Sequence, residues 1–461
     1  MLDALKTYLR YTSWPIISAM VTLMTIGVLA IRASEGADAT IRGYADQQVV
    51  YAAVGLCAFV AVTVVPYARF GRLAYPLFAV TLAMLVAVLF QPAVRGAHRW
   101  VDVRLFKVQP SEIAKFTFIV MLAWYLRYGD HYRRLRGLAV PFVLTFVPMA
   151  MILVEPDLGT SLLFLPTLYF MLLMAGAKLR HLLVIVALGT LAVLCPVPCP
   201  VDGSAFAADA GKFKATRIGP LTFYRVDESL DWRRRPETPV AYCRYRFGGG
   251  KVYDLQPLCL RMMKGHQSER VEGWLRQGDP RITMDKGYQG HQSMVLLGSG
   301  RWLGQDAEIA GQAPFSALPD DHTDFIFSVV GGKRGFVGCL TVLFLYGVVF
   351  LYGVEIAAIT YDPFGRLLAV GVVALLFSQL VINAGMTMGL MPITGMTLPL
   401  VSYGGSSLVV NCAALGLLVN VGQRRPILLS APAFEYGPKK ERPPAPYGPV
   451  SGGAELPPIR K

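Results

Sequence analysis

Apolar runs of about 17 to 24 residues recur along the chain, each the length a helix needs to cross roughly 30 Å of hydrocarbon. They fall near 14–32, 49–67, 73–90, 111–127, 138–154, 159–176, 181–197, 335–358, 366–388 and 398–421. The pattern predicts an all-α polytopic membrane protein with ten transmembrane helices. The first run is long enough to span and many more follow it, so it reads as an uncleaved first helix. Residues 1–197 thus hold helices 1–7, 198–334 a large loop, 335–422 helices 8–10, and 423–461 a polar, proline-rich tail predicted to be disordered.

Composition agrees with the pattern. Hydrophobic residues make up 54% of the 461 positions and charged residues 16%, with a mean hydropathy of +0.47. That excludes an ordinary soluble domain. The formal net charge of +14 sits in short clusters between apolar runs and in the large loop, the distribution membrane topology demands rather than a nucleic-acid face. Lys6 and Arg10, Arg69 and Arg72, Arg127 with Arg133, Arg134 and Arg136, Lys178 and Arg180, Arg366, and Arg424 with Arg425 all fall on one side. Both termini are therefore predicted to be cytoplasmic. The opposite side keeps basic residues against that preference, Arg95, His98, Arg99, Arg104 and Lys107 among them, which points to an anionic ligand there.

The large outer loop opens with a segment, 198–258, rich in Gly, Pro, Arg and aromatic residues, whose pattern decides neither strands nor a subdomain. Cys195, Cys199, Cys243 and Cys259 lie in or beside it. One or two disulfides are expected if it faces an oxidising compartment, and a zinc site is the weaker reading without a paired C-x-x-C. The arginine and aromatic content fits a partner-docking module.

Four stretches carry candidate chemistry. Asp320, Asp321 and Asp324 stand just before a span, where Asp324 is either a cap and dipole partner or a catalytic carboxylate. Glu112 and Lys115, three apart, share a helical face, as a snorkelling structural pair or as part of a cationic clamp with Arg99. Asp157, in the turn from Glu155 to Ser161, reads as a helix cap before it reads as a catalyst. The Gly- and Pro-rich stretch from Gly389 to Ser407 breaks helices at the membrane face, which is tolerated only if the backbone is buried or lines a polar cavity, where Ser402 and Ser406 would meet a head group.

Taken together, GAHRW (96–100), QPSEIAK (109–115), EPDLGTS (155–161), GYQGHQS (287–293), HTDFIF (322–327) and MPITGMTLPLVSYGGSS (391–407) resemble the SEDS family of bacterial cell-shape and division proteins, on the side of the RodA branch rather than FtsW. The resemblance spans nearly the whole membrane region, leaving out 198–258 and the tail. It implies a peptidoglycan glycosyltransferase that polymerises lipid II at the outer face of the bacterial cytoplasmic membrane, working with a class B penicillin-binding protein. It requires no cofactor, though a divalent cation is compatible with it. Asp324 falls on the catalytic aspartate, and Arg99, Lys115, Glu112, Arg270, Gln292, Ser293, Ser402 and Ser406 on substrate-binding positions. His322, Thr323, Asp157, Pro392, Gly404 and Gly405 would support them. One carboxylate acting as base and a cationic clamp suffice for transfer from a pyrophosphate-linked sugar, whose leaving group is already a stabilised anion. The chain departs from the family where Gly332 and Lys333 replace a Glu-Glu pair, where Gln305 and Asp306 follow Gly304, and where His266 stands for a tyrosine. A non-catalytic scaffold for lipid II and the penicillin-binding protein, or a lipid II transporter, would use the same surfaces.

Overall fold

The computed structural model describes residues 12–35, 43–91, 99–102, 107–129, 131–200, 213–218, 221–226, 243–247, 252–257, 265–277, 287–304, 318 and 321–424. Asp320, Arg95, His98, Arg104, Lys264, Gln305, Asp306, Cys259 and the tail after 424 lie outside them, as do the side chains of Cys199 and Cys243.

Helices occur at each of the ten apolar runs: α1 (Trp14–Glu35), α2 (Tyr44–Val64), α4 (Ala74–Val88), α5 (Pro110–Leu126), α6 (Ala139–Val154), α7 (Leu158–Ala175), α8 (Leu179–Leu194), α11 (Ile326–Ile359), α12 (Pro363–Thr387) and α13 (Gly405–Gln423). Among the described residues seven helices are long and apolar enough to cross a membrane, and α4 and α8 supply shorter apolar helices. Three short helices complete the set: α3 (Tyr67–Arg72), α9 (Gly265–Leu275) and α10 (Tyr288–Ser299).

Burial runs opposite to that of a soluble protein. Asn383, Asn411 and Asn420 are fully buried in α12 and α13, while Leu183, Leu188 and Leu191 of α8 are more than half exposed. Apolar side chains turned outward in this number need hydrocarbon around them, and amides turned inward need partners inside the protein. α2 packs on α13, α1 on α11, and α12 on both α7 and α11.

Three expectations need correction. The chain is not all-α. Five described strands between Pro196 and Pro257 form an antiparallel sheet, β3 (Pro196–Pro200), β4 (Phe213–Ile218), β5 (Leu221–Val226), β6 (Cys243–Phe247) and β7 (Val252–Pro257), in the order β3-β7-β6-β5-β4. Arginine, tyrosine and phenylalanine interleave in these strands, which hid the period of two. A small ribbon of β1 (Val101–Asp102) and β2 (Lys107–Val108) precedes α5. Second, the residues just before 335 are helical rather than loop: a helical segment starts at Ile326 and meets the predicted span at a kink at Gly335 (φ 66°, ψ −163°), the two together forming α11. Third, the last span begins at Gly405 rather than 398, since Pro399 and Gly404 keep the preceding segment out of helix. Cys195 carries a free thiol, so it takes no part in the predicted disulfides.

Gly332 and Lys333 lie just before the kink. Freed by Gly335, the amides of Phe336 and Val337 donate to Arg301 O (2.8 Å) and Trp302 O (3.1 Å). The turn at 300–304 lies so close that a methyl on Gly300 would stand 1.9 Å from Gly331 O. Backbone packs on backbone here. Replacing Gly300 by Ala must push the turn away from α11, and we expect a loss of about 1–3 kcal/mol. Thermal unfolding of the detergent-solubilised protein measures it, and an unchanged midpoint would refute the close approach.

Candidate active site

The turn Asp321–Phe325 at the start of α11 separates two aspartates that look alike in sequence. Asp321 is 3% exposed, accepts a short hydrogen bond from Ser34 Oγ of α1, and has His322 Nδ1 at 3.2 Å. The His322 ring lies against Tyr44 (4.9 Å) and Tyr403 (5.7 Å), and its carbonyl accepts from Tyr403 N (2.9 Å). Asp321 thus joins α1, α11 and the 389–404 segment. Asp324, like Thr323, is half-buried. Its backbone carbonyl accepts from Asn383 Nδ2 (2.9 Å), and the same amide donates to Met396 O (2.6 Å). Asn383 thereby binds the aspartate's turn to the broken segment.

The Asp324 carboxylate meets Arg270 of α9 over Gly395. A methyl on Gly395 would lie 3.2 Å from Arg270 Nη1 and 3.5 Å from Asp324 Oδ2. With φ at +72°, that position also favours glycine conformationally. With no side chain at Gly395, the guanidinium and the carboxylate border the same open space.

Arg270 also lines a cavity of about 380 Å³ together with Arg99, Gln267, Pro156, Pro392 and Thr394. Arg99 is held by its backbone partners: Nε donates to Glu155 O at 3.0 Å and Nη2 to Pro156 O. A guanidinium carries five N–H donors, so others remain for an anion in the cavity. The turn that presents these carbonyls is fixed by Asp157. It caps α7 through Thr160 N (3.2 Å), accepts from Thr160 Oγ1 (2.8 Å), and accepts from Gln109 Nε2 (3.1 Å).

Glu155 is fully buried, and neither carboxylate oxygen has a hydrogen-bond partner. Burial and the neighbouring Asp157 push its carboxyl up to about 8, against a smaller opposing pull from Arg99. Its protonated form is therefore favoured up to about pH 8.

The structure does not bring Lys115 to the cavity. Lys115 Nζ pairs with Glu112 at 2.8 Å, and at 2% and 5% exposure both residues lie inside the protein. The second cation beside Arg99 is Arg270. Ser293 is fully buried, shares a 2.7 Å bond with Ser328 and donates to Thr387 O at 3.0 Å. Gln292 is half-buried on α10. Ser402 is buried and accepts from Leu398 N (2.8 Å), and Ser406 accepts from Gln109 N (3.3 Å), so both hold backbone. Gly404 N donates to Gln48 Oε1 (3.4 Å), and Gly405 lets Tyr51 approach α13. Gly332 and Lys333 are absent from the lining of this cavity. Among the described residues no three His, Cys, Asp or Glu side chains gather as a metal site would require.

Asn383, Glu155 and Thr394 were not assigned roles from sequence. An asparagine and a glutamate inside or beside apolar runs were the available signal.

Comparison with known proteins places these features in context. Residues 12–201 and 252–426 match the profile of the FtsW, RodA and SpoVE family, described as cell cycle proteins. The peptidoglycan glycosyltransferase RodA of Treponema pallidum (strain Nichols) is 34% identical over 426 residues, covering 88% of this chain and 96% of that protein. The peptidoglycan glycosyltransferase MrdB of Escherichia coli (strain K12) is 29% identical over 411 residues, covering 89% and 93%. A chain from a solved peptidoglycan synthase complex, studied for the coordination of polymerization and crosslinking, superposes with a TM-score of 0.63 at 26% identity, covering 89% of this chain and 97% of that one. The rod shape determining protein RodA of Thermus thermophilus has the same fold, with a TM-score of 0.57 at 24% identity, covering 90% and 97%.

The Glu155 carboxyl gives a pH test. Its folded value lies above its ordinary 4.5, so the stability linked to it is complete below 4.5 and is lost as pH rises towards about 8. The melting midpoint should fall across that window, and Glu155→Gln should remove that part of the fall, worth up to a few kcal/mol. Identical pH slopes for the two proteins would show that Glu155 is not the group responsible.

Proposed function

The chain belongs to the FtsW, RodA and SpoVE family and is a peptidoglycan glycosyltransferase, and from that premise we propose that it polymerises lipid II with Asp324 as general base. The observation that carries the assignment is that Asp324 Oδ2 and Arg270 Nη1 both border the open position above Gly395, next to a cavity that Arg270 shares with Arg99. The Asp324 carboxylate takes the proton of the acceptor sugar's 4-hydroxyl. That oxygen forms a bond to the donor's anomeric carbon while the bond from this carbon to the pyrophosphate oxygen breaks. Arg99 and Arg270 receive the charge that develops on the leaving pyrophosphate, which needs cations rather than a general acid. Asp321 is excluded from the base's role by its bonds to Ser34 and His322. The buried Glu112–Lys115 pair positions the start of α5.

The ten apolar helices read as ten spans of a bacterial cytoplasmic membrane, with the cavity at the outer face and both termini in the cytoplasm. The partner is a class B penicillin-binding protein, a reading supported by the likeness to a complex in which polymerization and crosslinking are coordinated.

Asp324→Asn should lower polymer formation from labelled lipid II by at least ~100-fold, the usual contribution of a general base, in folded protein assayed with its partner. Activity of the variant within tenfold of wild type would rule Asp324 out. We assign the 198–258 sheet to partner docking. Since β3 and β7 pair directly, residues 202–251 can be replaced by a short turn. The shortened protein should insert and fold but lose its complex with the partner in co-purification, and an undiminished complex would refute the assignment.

A further inference from the structure

Beside the arginine cavity lies a second one, of about 390 Å³, between α9, α10 and the 386–393 turn. Trp274, Met294, Met386, Met391 and Ile393 line it, and Arg270 lines both cavities. Arg270 and His291 are the charged or titratable members of its wall, and two further polar side chains are already committed. Trp274 Nε1 and Gln277 Nε2 both donate to Gly389 O at 3.0 Å, so the indole offers the cavity its apolar body. Three methionines give a wall of flexible, polarizable thioethers that conforms to an irregular, branched apolar chain. A sugar would need free donors and acceptors instead.

Arg270 therefore has three kinds of neighbour: Asp324 above Gly395, Arg99 across the first cavity, and an apolar cavity. A pyrophosphate between the arginines would direct the group on one side of it to Asp324 and the group on the other into the methionine wall. We propose that the second cavity binds the first isoprene units of the polyprenyl chain attached to the donor's pyrophosphate. This rests on the reading of the arginine cavity as the pyrophosphate site, and it fixes the direction in which the substrate lies. The cavity is small and open to its surroundings, so it takes only the first carbons of the chain, and the rest continues into the bilayer.

Gly290 of α10 also lines this cavity, and a methyl placed there meets nothing nearer than Ile393 Cδ1 at 3.5 Å. Gly290→Leu can therefore fill the cavity without a clash at its first carbon, in a helix that leucine favours. The test compares binding of farnesyl pyrophosphate and inorganic pyrophosphate to the full-length protein in nanodiscs. Wild type should prefer the farnesyl compound by at least ~10-fold, given the apolar carbons it buries. Gly290→Leu should reduce that preference to within about twofold and leave inorganic pyrophosphate binding unchanged. Met391→Gln, in the turn rather than a helix, should reduce it as well and guards against misfolding of the first variant. Equal binding of both compounds by wild type, or a preference untouched by both substitutions, overturns the proposal while leaving the arginine site standing. Failure of wild type to bind either compound removes the arginine site and this inference with it.

Discussion

Non-helical backbone at membrane depth must find its hydrogen bonds inside the protein, and the site hangs on how that is done between Met388 and Gly404. Asn383 donates to Met396 O and Asp324 O. Gln48 donates to Ser402 O and accepts from Gly404 N. The Ser402 hydroxyl accepts from Leu398 N, and Tyr346 Oη donates to Pro399 O. Each partner is buried, so each bond forms where an unmade one would be costly. The same bonds that satisfy the segment also aim it: Asn383 cannot hold Met396 without holding Asp324, and Gly395 lies beside both the carboxylate and Arg270 as a result.

The acidic groups around this segment are sorted by what their neighbours allow. Asp321 is bound by Ser34 and His322, Glu112 by Lys115, and Asp157 by the start of α7. Glu155 has no partner and responds by holding its proton, so it adds no negative charge beside Arg99. The cavity consequently keeps its cationic character. Asp324 is set apart by position rather than by any property of aspartate.

Much of the fold was legible because membrane helices announce themselves by length and hydropathy, which need no tertiary knowledge. The Glu112–Lys115 pair and the Asp157 cap were legible for a similar reason, since both depend on spacing within one helix or turn. What could not be read was decided across the chain. Arg270 rather than Lys115 lines the cavity with Arg99 because α9 folds back over the 389–395 segment, and Ser293 faces Ser328 because α10 packs on α11. The early start of α11 was hidden by Gly332 and Lys333, which look like loop residues until the turn at 300–304 is seen against them.

The sheet shows how a segment outside the family pattern is carried without disturbing the membrane core. The match to the family stops at 201 and resumes at 252, while β3 ends at Pro200 and β7 begins at Val252. These two strands pair antiparallel, Pro200 opposite Tyr253, so the chain leaves and returns at adjacent points. Lengthening a connection whose ends are already held together costs little, because closure entropy grows only slowly with length. β6, β5 and β4 then add in turn to the other edge of β7. Cross-strand side chains supply their contacts, with Tyr245 stacked on Tyr253 at 5.8 Å and Arg246 over Tyr224 at 5.7 Å. Each added strand is satisfied by the one before it, so the core needs to accommodate only the first pair.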